Sequence, residues 1–373
     1  MSLNIDRPTI LLNVDQAKRN IQRMVEKAQT QGIRFRPHFK THQSAAIGEW
    51  FRQAGVNAIT VSSVEMAQYF AQHGWDDITI AFPANLRQVG SINELAHSIR
   101  LGLLVESIET VEYLAGHLTA AVDIWVEIDD GTNRSGVRWD RPEMVLQLVT
   151  EVKSNDHLRI KGFLTHAGRI YRAGSSTEIR KIYHETVNRM NNIHQYLTRH
   201  GYSLEVSVGD TPGCTLCSNL GKVDEIRPGN FVLYDAVQLA LGVCKLKDIA
   251  AVLACPVVAK YPARGEVVIY GGAVHLSKDT VKVDEKNVFG LAAMVKTERD
   301  QPGRPWLSII PEGYVVRLTQ EHGVVTLPEP ALHRVKVGDL LYVIPAHVCL
   351  TVSALGEYCT IDGKIIKTMN KES

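Results

Sequence analysis

The sequence lacks long apolar runs, an excess of charge of either sign, and a dense set of cysteines. Its 373 residues include six scattered cysteines, too few for a disulfide framework, so we expect reduced thiols in a cytoplasm. A balance of 41 Lys and Arg against 40 Asp and Glu argues against nucleic-acid or anionic-membrane partners. No window approaches about eighteen consecutive apolar residues. The first residues also lack a basic region followed by an apolar core, which predicts a soluble, unsecreted protein.

Strand-like and helix-like segments alternate through the first two thirds of the chain. Eight segments have strand character: Ile33–Pro37, Asn57–Ser62, Asp77–Phe82, Leu101–Val105, Val122–Ile128, Ile160–Leu164, Leu204–Val208 and Asn230–Tyr234. Amphipathic helical patterns separate most of them, and the first such helix is expected to be capped by Asp15. This alternation predicts parallel strands joined by crossover helices.

Eight such units fit a TIM-type (β/α)8 barrel, for which about 250 residues are typical. An open doubly wound sheet is the alternative, because periodicity does not show closure. After Gly242 the pattern changes to short β-type runs, and Asp362-Gly363 is a typical two-residue hairpin turn. We therefore expect an α/β barrel domain over residues 15–249 and an all-β domain over residues 250–373, which the extended residues 1–14 would join.

One segment, Arg36–Ser44, concentrates basic and imidazole groups around Lys40, at a point where a strand pattern gives way to a helix pattern. Cationic neighbours and partial desolvation both lower the pKa of a lysine, and a neutral amine can form a Schiff base. The ordinary alternative is a solvated basic turn.

Polar and glycine-rich segments follow several of the other predicted strands. They are Asp129–Gly136 after the fifth strand, His166–Tyr171 after the sixth, Gly209–Gly213 after the seventh, and Tyr234-Asp235 at the end of the eighth. Barrel enzymes carry their working groups at these carboxyl ends. The backbone of Gly209–Gly213 could bind a phosphate, although such a segment is also typical of a plain turn. Alone, Arg134 would be a surface ion pair and His166 a core or loop histidine.

Together these segments resemble the D-threonine aldolase and D-serine dehydratase family of pyridoxal-phosphate enzymes, which have the alanine-racemase-type fold. The resemblance starts at an Arg-Pro-His-x-Lys-Thr-His motif and covers nearly the whole chain. The other matching segments are Val126–Asp129 with Asn133–Gly136, the His-x-Gly-x-x-Tyr at His166, Arg227–Asn230 running to Tyr234-Asp235, and Gln320–Gly323.

The resemblance implies a role for each matching residue and suggests a homodimer. Lys40 would carry pyridoxal 5'-phosphate as a Schiff base, and Arg134 would hydrogen-bond the ring oxygen. His166 and Tyr171 would lie against the ring, while Tyr234 and the backbone of Gly209, Asp210 and Thr211 would hold the phosphate. The sequence departs from the family at Arg169, where a second histidine is common, and at Asp210, which replaces a serine. A carboxylate beside a phosphate is repulsive unless it is paired or points away.

A second pair of residues, His347 and Cys349, lies two positions apart on a predicted strand, so both side chains would project from one face. Imidazole and thiolate together suit zinc, whereas core packing is the ordinary interpretation of such a pair. The His-x-Cys-x-Thr pattern resembles the zinc pair of the dehydratases, while the aldolases tend to carry aspartate at the second position. With two protein ligands, water or substrate would complete the zinc shell.

These observations predict a pyridoxal-phosphate- and zinc-dependent lyase that resembles D-serine dehydratase. It would eliminate water from a D-β-hydroxy amino acid to give a keto acid and ammonia, with Lys40, His347 and Cys349 as the catalytic residues. The alternatives are a retro-aldol cleavage of the D-threonine aldolase type and a 3-hydroxy-D-aspartate dehydratase. An amino-acid racemase would need a second base and no metal, and a non-catalytic carrier of pyridoxal phosphate would not need the second domain.

Overall fold

The computed structural model describes residues 4–283, 285–295 and 306–372. It divides the chain into two compact units. One, here called the parallel-sheet unit, comprises Gln22–Lys40 and Gly48–Gly229. The other, called the antiparallel-sheet unit, comprises the chain up to Ile21, the segment Thr41–Ile47, and the chain from Asn230 onward. Within the predicted ranges 1–14 and 250–373, residues 1–3, 284, 296–305 and 373 lie outside the described residues.

Eight parallel strands form the sheet of the parallel-sheet unit. In their order across the sheet they are Arg34–Phe35, Glu225–Ile226, Glu205–Gly209, Leu158–His166, Val122–Asp129, Arg100–Val105, Asp77–Pro83 and Ile59–Val61. The short strand Val137–Arg138 also pairs with Val122–Asp129. A β-bridge links the two ends of this order. It joins His38, which follows the first strand Arg34–Phe35, to Thr60 in the last strand Ile59–Val61. Around it, Phe39 N–H donates to the Thr60 carbonyl (2.8 Å) and Thr60 N–H donates to the Pro37 carbonyl (2.9 Å).

Most of the predicted elements of this region are confirmed. The α-helices up to residue 240 are Val14–Thr30, Ala45–Gln53, Val64–Gln72, Val89–Ser98, Ile108–His117, Pro142–Lys153, Ser176–Arg199, Thr211–Leu216 and Ala236–Ala240. Short 3-10 helices lie at Leu86–Gln88, Gly168–Arg172, Asn230–Val232, Leu246–Asp248 and Pro262–Arg264. Serine side chains at positions 63, 107 and 175 cap the helices that follow them by accepting from backbone N–H groups.

Two predictions for this region are wrong. The segment Asn230–Tyr234 is not a strand but begins with a 3-10 helix, and the eighth strand of the sheet is the two-residue Glu225–Ile226. Asp15 does not cap the first helix, because the side chain of Asn13 accepts from Gln16 N–H (3.0 Å). A strand of two residues is too short to show the period-two pattern from which strands are predicted.

Apolar side chains fill the centre of the sheet, where Trp125 packs with Leu104 and Leu164, all at most 2% exposed. Charged side chains form a continuous ion-paired network near the amino ends of the strands. Its members, in order of contact, are Arg159, Asp123, Arg100, Asp77, Arg36, Glu225, Arg34, Glu205 and Lys161. These charges lie at the end of the sheet opposite to the polar segments that follow the strands.

Nine strands form the main sheet of the antiparallel-sheet unit. In order they are Glu266–Tyr270, His322–Thr326, Leu307–Leu318, Gly290–Val295, Leu340–Pro345, Ala251–Tyr261, Thr9–Leu12, Glu357–Thr360 and Ile365–Lys367. Val281–Val283 and Lys286–Val288 form a separate pair. The Asp362-Gly363 hairpin is confirmed: Gly363 has φ of 88°, and Thr360 N–H donates to the Lys364 carbonyl (2.8 Å).

The antiparallel-sheet unit also contains short helices, so the all-β prediction is wrong in detail. They are Ala273–Leu276, Glu329–Arg334, Val348–Leu355 and Met369–Glu372. Each is too short to give a clear helical period in the sequence. Among the described residues, no helix is long and apolar enough to span a bilayer.

Candidate active site

Lys40 lies in a turn that follows the strand Arg34–Phe35. Its side chain is exposed, whereas the sequence predicted a partly desolvated lysine. The turn is held by the Lys40 N–H, which donates to Nδ1 of His38 (3.3 Å), and by the bridge between His38 and Thr60. The backbone of Lys40 is therefore fixed to the sheet, while its amine is accessible.

Two members of the predicted basic cluster, Arg36 and His42, do not contribute a free positive charge beside Lys40. Arg36 is buried, and its guanidinium donates to Glu225 (2.8 Å) and to Asp77 (2.6 Å), so its charge is neutralised within the network at the amino ends of the strands. His42 is fully buried, and this burial lowers its pKa to about 3. His42 is thus neutral at physiological pH, and its Nδ1 accepts from Ser44 N–H (3.2 Å).

His166 ends the strand Leu158–His166, and its ring is fixed by a strong hydrogen bond. Nδ1 lies 2.7 Å from the Gly209 carbonyl oxygen, so Nδ1 carries the hydrogen and donates. Burial, reinforced by the nearby charge of Lys40, lowers the pKa of His166 to about 3. The ring is therefore neutral, with its lone pair on Nε2. The Tyr171 ring lies 5.9 Å from it, centroid to centroid.

The loop Asp129–Gly136 presents Arg134 after the strand Val122–Asp129. One carboxylate oxygen of Asp129 accepts from the N–H groups of Gly131, Thr132 and Asn133 (2.8 to 3.0 Å), which folds the loop back on the strand end. Arg134 is 59% exposed, and its guanidinium lies 3.7 Å from Glu127. Its side chain is thus held on one side only and can bind an anion or another acceptor.

The segment after Gly209 forms the start of a short helix, Thr211–Leu216, rather than a plain turn. Asp210 caps this helix through a hydrogen bond from Gly213 N–H. Its other carboxylate oxygen is buried and has no hydrogen-bond partner among the described residues. Burial raises the pKa of Asp210 to about 7, and the neighbouring charge of Asp130 adds to this. Asp210 is therefore partly protonated at neutral pH.

Arg169, which stands where the family often has a histidine, is ion-paired. Its guanidinium donates to Asp130 (3.3 Å) and lies 3.6 Å from Glu185. Asp130 is almost completely buried and also accepts from Arg189 (3.0 Å). Arg169 therefore holds the loop Asp129–Gly136 through Asp130.

In the antiparallel-sheet unit, His347 and Cys349 do not lie on a strand as predicted. The strand ends at Pro345, His347 is the residue before the helix Val348–Leu355, and Cys349 lies in its first turn. The two side chains nevertheless interact, because Cys349 contributes to a raised pKa of His347. The strand prediction failed because Val348–Leu355 is apolar and short, so its sequence has no polar face to indicate a helix.

His347 is held from its other side by Asp279, whose carboxylate accepts from Nδ1 (2.8 Å). Burial alone would lower the pKa of His347. The interaction with Cys349, the charge of Asp235 and the hydrogen bond to Asp279 together outweigh burial and raise this pKa to about 10. An imidazole with a carboxylate on one ring nitrogen and a thiol facing it is a common arrangement around metal ions.

Cys349 is buried and has two polar neighbours in the same unit. Its Sγ donates to Oγ1 of Thr41 (3.4 Å), and the Asn230 amide donates to Sγ (3.8 Å). Asn230 also donates to Asp235 (2.6 Å), which accepts from Val348 N–H (3.2 Å) at the helix start. Among the described residues, no group of three or more His, Cys, Asp or Glu side chains could hold a metal ion.

Tyr234 lies in the antiparallel-sheet unit beside this network. It is buried, has φ of 53°, and its N–H donates to the Asn230 carbonyl (2.8 Å). A left-handed backbone at a tyrosine costs roughly 1 kcal/mol or more and persists only where its surroundings impose it.

Three contact residues, Thr41, Asn230 and Asp279, had no role in the sequence prediction. Thr41 and Asn230 lie inside segments that resemble the family, so their positions in the sequence could have marked them as site residues. Asp279 precedes His347 by 68 positions, and nothing local in the sequence marks it. Contacts of this kind come from tertiary structure alone.

Comparison of the chain with known proteins shows the family to which this fold and these residues belong. Residues 12–236 match the family described as "Alanine racemase, N-terminal domain", and residues 250–361 match the "Putative serine dehydratase domain". The first match covers more than half of the chain. The protein belongs to the alanine racemase N-terminal domain family, whose members use pyridoxal phosphate.

Similar proteins match along nearly their whole length. The chain is 28% identical to D-threo-3-hydroxyaspartate dehydratase of Delftia sp. (97% of this chain, 96% of the relative) and 27% identical to D-serine dehydratase of Dictyostelium discoideum (98% and 96%). It is 24% identical to 3-hydroxy-D-aspartate aldolase of Paracoccus denitrificans (97% and 90%). The solved structure of the Delftia enzyme superposes with a TM-score of 0.88 over 98% of both chains, and a variant of that enzyme is known in a metal-free form.

Proposed function

We propose that the protein is a pyridoxal-phosphate- and zinc-dependent lyase that removes water from a D-β-hydroxy amino acid, as a D-serine dehydratase does. The observation that carries this proposal is the His347 and Cys349 pair, which lies at the start of one helix with His347 held by Asp279. This pair occurs in a chain of the alanine racemase N-terminal domain family. Dehydratases and aldolases of D-amino acids are among its relatives.

The residues at the carboxyl ends of the parallel strands fit pyridoxal phosphate. Lys40 offers an accessible amine on a fixed backbone. His166, neutral and held by Gly209, would lie against the ring with Tyr171, and Arg134 would donate to the ring oxygen. The backbone of Gly209, Asp210 and Thr211, together with Tyr234, would hold the phosphate. When bound, the cofactor supplies an electron sink for the negative charge that develops at Cα.

Lys40 would act as the base that removes the proton from Cα, and its position on one side of the substrate would set D-selectivity. His347 and Cys349 would hold the zinc ion, which supplies a Lewis acid for the departing β-hydroxyl. Asp279 accepts from Nδ1 of His347, which would leave Nε2 to bind the ion. The overall reaction would release a keto acid and ammonia.

The identity of Cys349 favours the dehydratase over the aldolase. In the resemblance described above, cysteine at this position accompanies dehydration and aspartate accompanies aldol cleavage. The 3-hydroxy-D-aspartate dehydratase activity is the nearest alternative, because the Delftia relative carries that name and matches the full length of the chain. An aldolase of the Paracoccus type is the second alternative.

We further propose a closed (β/α)8 barrel with the cofactor domain at residues 15–249 and the metal pair in a domain at residues 250–373. The bridge between His38 and Thr60 supports closure, because it joins the two ends of the eight-stranded order. A homodimer and a cytoplasmic location belong to the same proposal. The six cysteines, which all lie among the described residues and form no disulfide there, support a reducing compartment.

Product analysis tests the proposal. The purified protein, loaded with pyridoxal phosphate, is incubated with D-serine, D-threonine or D-3-hydroxyaspartate, with and without a chelator. We expect a keto acid and ammonia, with activity lost to the chelator and restored by zinc. Glycine as the main product would identify an aldolase instead, and no turnover of any of the three would indicate a carrier of the cofactor.

Matched cysteine variants make the test specific to the pair. C349A should lose the chelator-sensitive activity. C359A removes another buried cysteine of the same unit, whose Sγ donates to the Thr360 backbone carbonyl, and should keep this activity. Equal activity of C349A and wild type would contradict the role of the pair.

A further inference from the structure

The segment Thr41–Ile47 is part of the antiparallel-sheet unit, although Lys40 immediately before it is not. Three contacts with the last part of the chain hold the segment. Cys349 Sγ donates to Thr41 Oγ1 (3.4 Å), the Tyr358 hydroxyl donates to the His42 carbonyl (3.0 Å), and Met369 N–H donates to the Gln43 carbonyl (2.8 Å). The residues from Thr41 to Ser44 are all at most 7% exposed.

Only the first of these contacts involves a proposed metal ligand. A hydroxyl both donates and accepts, so Thr41 can keep its contact with Cys349 whichever of the two carries the shared proton. Thr41 is joined to Lys40 by one planar peptide bond, so the position of Thr41 restricts the backbone of Lys40. One hydrogen bond therefore links the Cys349 thiol to Thr41, and one peptide bond links Thr41 to Lys40.

We infer that Thr41 is a positioning residue that couples ion binding at His347 and Cys349 to the order of the segment following Lys40. The inference rests on the proposed function, since it takes His347 and Cys349 as the metal ligands. An ion fixes the Cys349 side chain, which in turn fixes Thr41 and the backbone next to Lys40. The coupling is reciprocal, so ordering this segment also strengthens ion binding.

Hydrogen exchange of the apo-protein, before and after addition of zinc, tests the inference without measuring activity. Zinc binding is measured in parallel by competition with a chromophoric chelator. We expect zinc to slow exchange in the peptide covering Thr41–Ile47 by about fivefold, the effect of strengthening one hydrogen bond. T41V should abolish this slowing and weaken zinc binding by about tenfold. T41S, which keeps the hydroxyl, should behave as wild type.

The control is T351V, on the same helix as Cys349. Thr351 is 1% exposed, and its hydroxyl has no hydrogen-bond partner among the described residues. T351V is therefore the same threonine-to-valine change as T41V, but it leaves the contact between Thr41 and Cys349 in place. T351V should keep the zinc-induced slowing.

Each outcome bears on a different claim. Zinc binding without slower exchange in wild type would overturn the coupling and leave the proposed function intact, and it would do so even if T41V failed to fold. Equal slowing in T41V and wild type would also overturn it. Failure of wild type to bind zinc would overturn both the coupling and the metal site.

Discussion

Replacing Asp210 with asparagine should remove a loss of stability that Asp210 causes as the pH rises through neutrality. Asp210 is 3% exposed, and one of its oxygens caps the helix Thr211–Leu216 by accepting from Gly213 N–H. The other oxygen has no hydrogen-bond partner among the described residues. An ionised carboxylate in this position is poorly solvated, and burial raises the pKa of Asp210 to about 7. Asparagine keeps the capping oxygen and cannot ionise.

The size of the effect follows from the two pKa values. An aspartate in the unfolded chain has a pKa of about 3.9. Between that value and about 7, the folded protein binds a proton that the unfolded chain does not, so the contribution of Asp210 to stability falls as pH rises. The contribution is complete below pH of about 4 and is lost once pH exceeds the folded pKa. From pH 5 to pH 8 the loss is about 3 kcal/mol, because the slope of about 1.4 kcal/mol per pH unit applies only up to the folded pKa of about 7.

Urea unfolding of apo-protein at pH 5 to 8, followed by tryptophan fluorescence, measures this difference. Trp50, Trp75, Trp125 and Trp139 lie in the same unit as Asp210, so the signal reports mainly on that unit. The free energy of unfolding of D210N relative to wild type should rise by about 3 kcal/mol across this range. D210S, which also cannot ionise, should follow the same trend. A difference that does not change with pH would show that Asp210 is ionised throughout, and the argument from its burial would be wrong.

Two further predictions concern charges in the two units. R36M should lower the free energy of unfolding by about 3 kcal/mol, because it leaves the fully buried Glu225 with Arg34 alone. Adding E225Q should recover part of this loss in urea unfolding, and a further loss in the double variant would contradict the assignment. D279N should weaken zinc binding by about tenfold in a chelator competition assay, because it removes the carboxylate that orients His347. The control D362N changes an exposed carboxylate of the same unit and should bind zinc as wild type does.

The parallel-sheet unit could be predicted from sequence because its strands are buried and flanked by amphipathic helices. Val122–Asp129 is buried along its whole length, and its apolar run is visible in the sequence. The strand Glu225–Ile226 could not be found in the same way. It is two residues long, and one of the two is a charged glutamate. Glu225 can be buried because it forms ion pairs with Arg34 and Arg36, which the sequence does not reveal.

For the candidate site, the sequence predicts a set of residues but not how each of them is held. His347 and Cys349 were predicted on a strand, whereas they lie at the start of a helix. Two of the cations expected around Lys40 do not act there, because Arg36 is paired at the amino ends of the strands and His42 is neutral. Both errors have one cause: local pattern does not show which long-range partner, such as Glu225 or Asp279, a side chain will meet.

Borohydride trapping tests the central claim, that Lys40 anchors the cofactor, most directly. The protein is loaded with pyridoxal phosphate, reduced, digested, and mapped by mass spectrometry. We expect the reduced cofactor on the peptide that contains Lys40 and no labelling of that peptide in K40A. Labelling of a different lysine in the wild-type protein would contradict the claim.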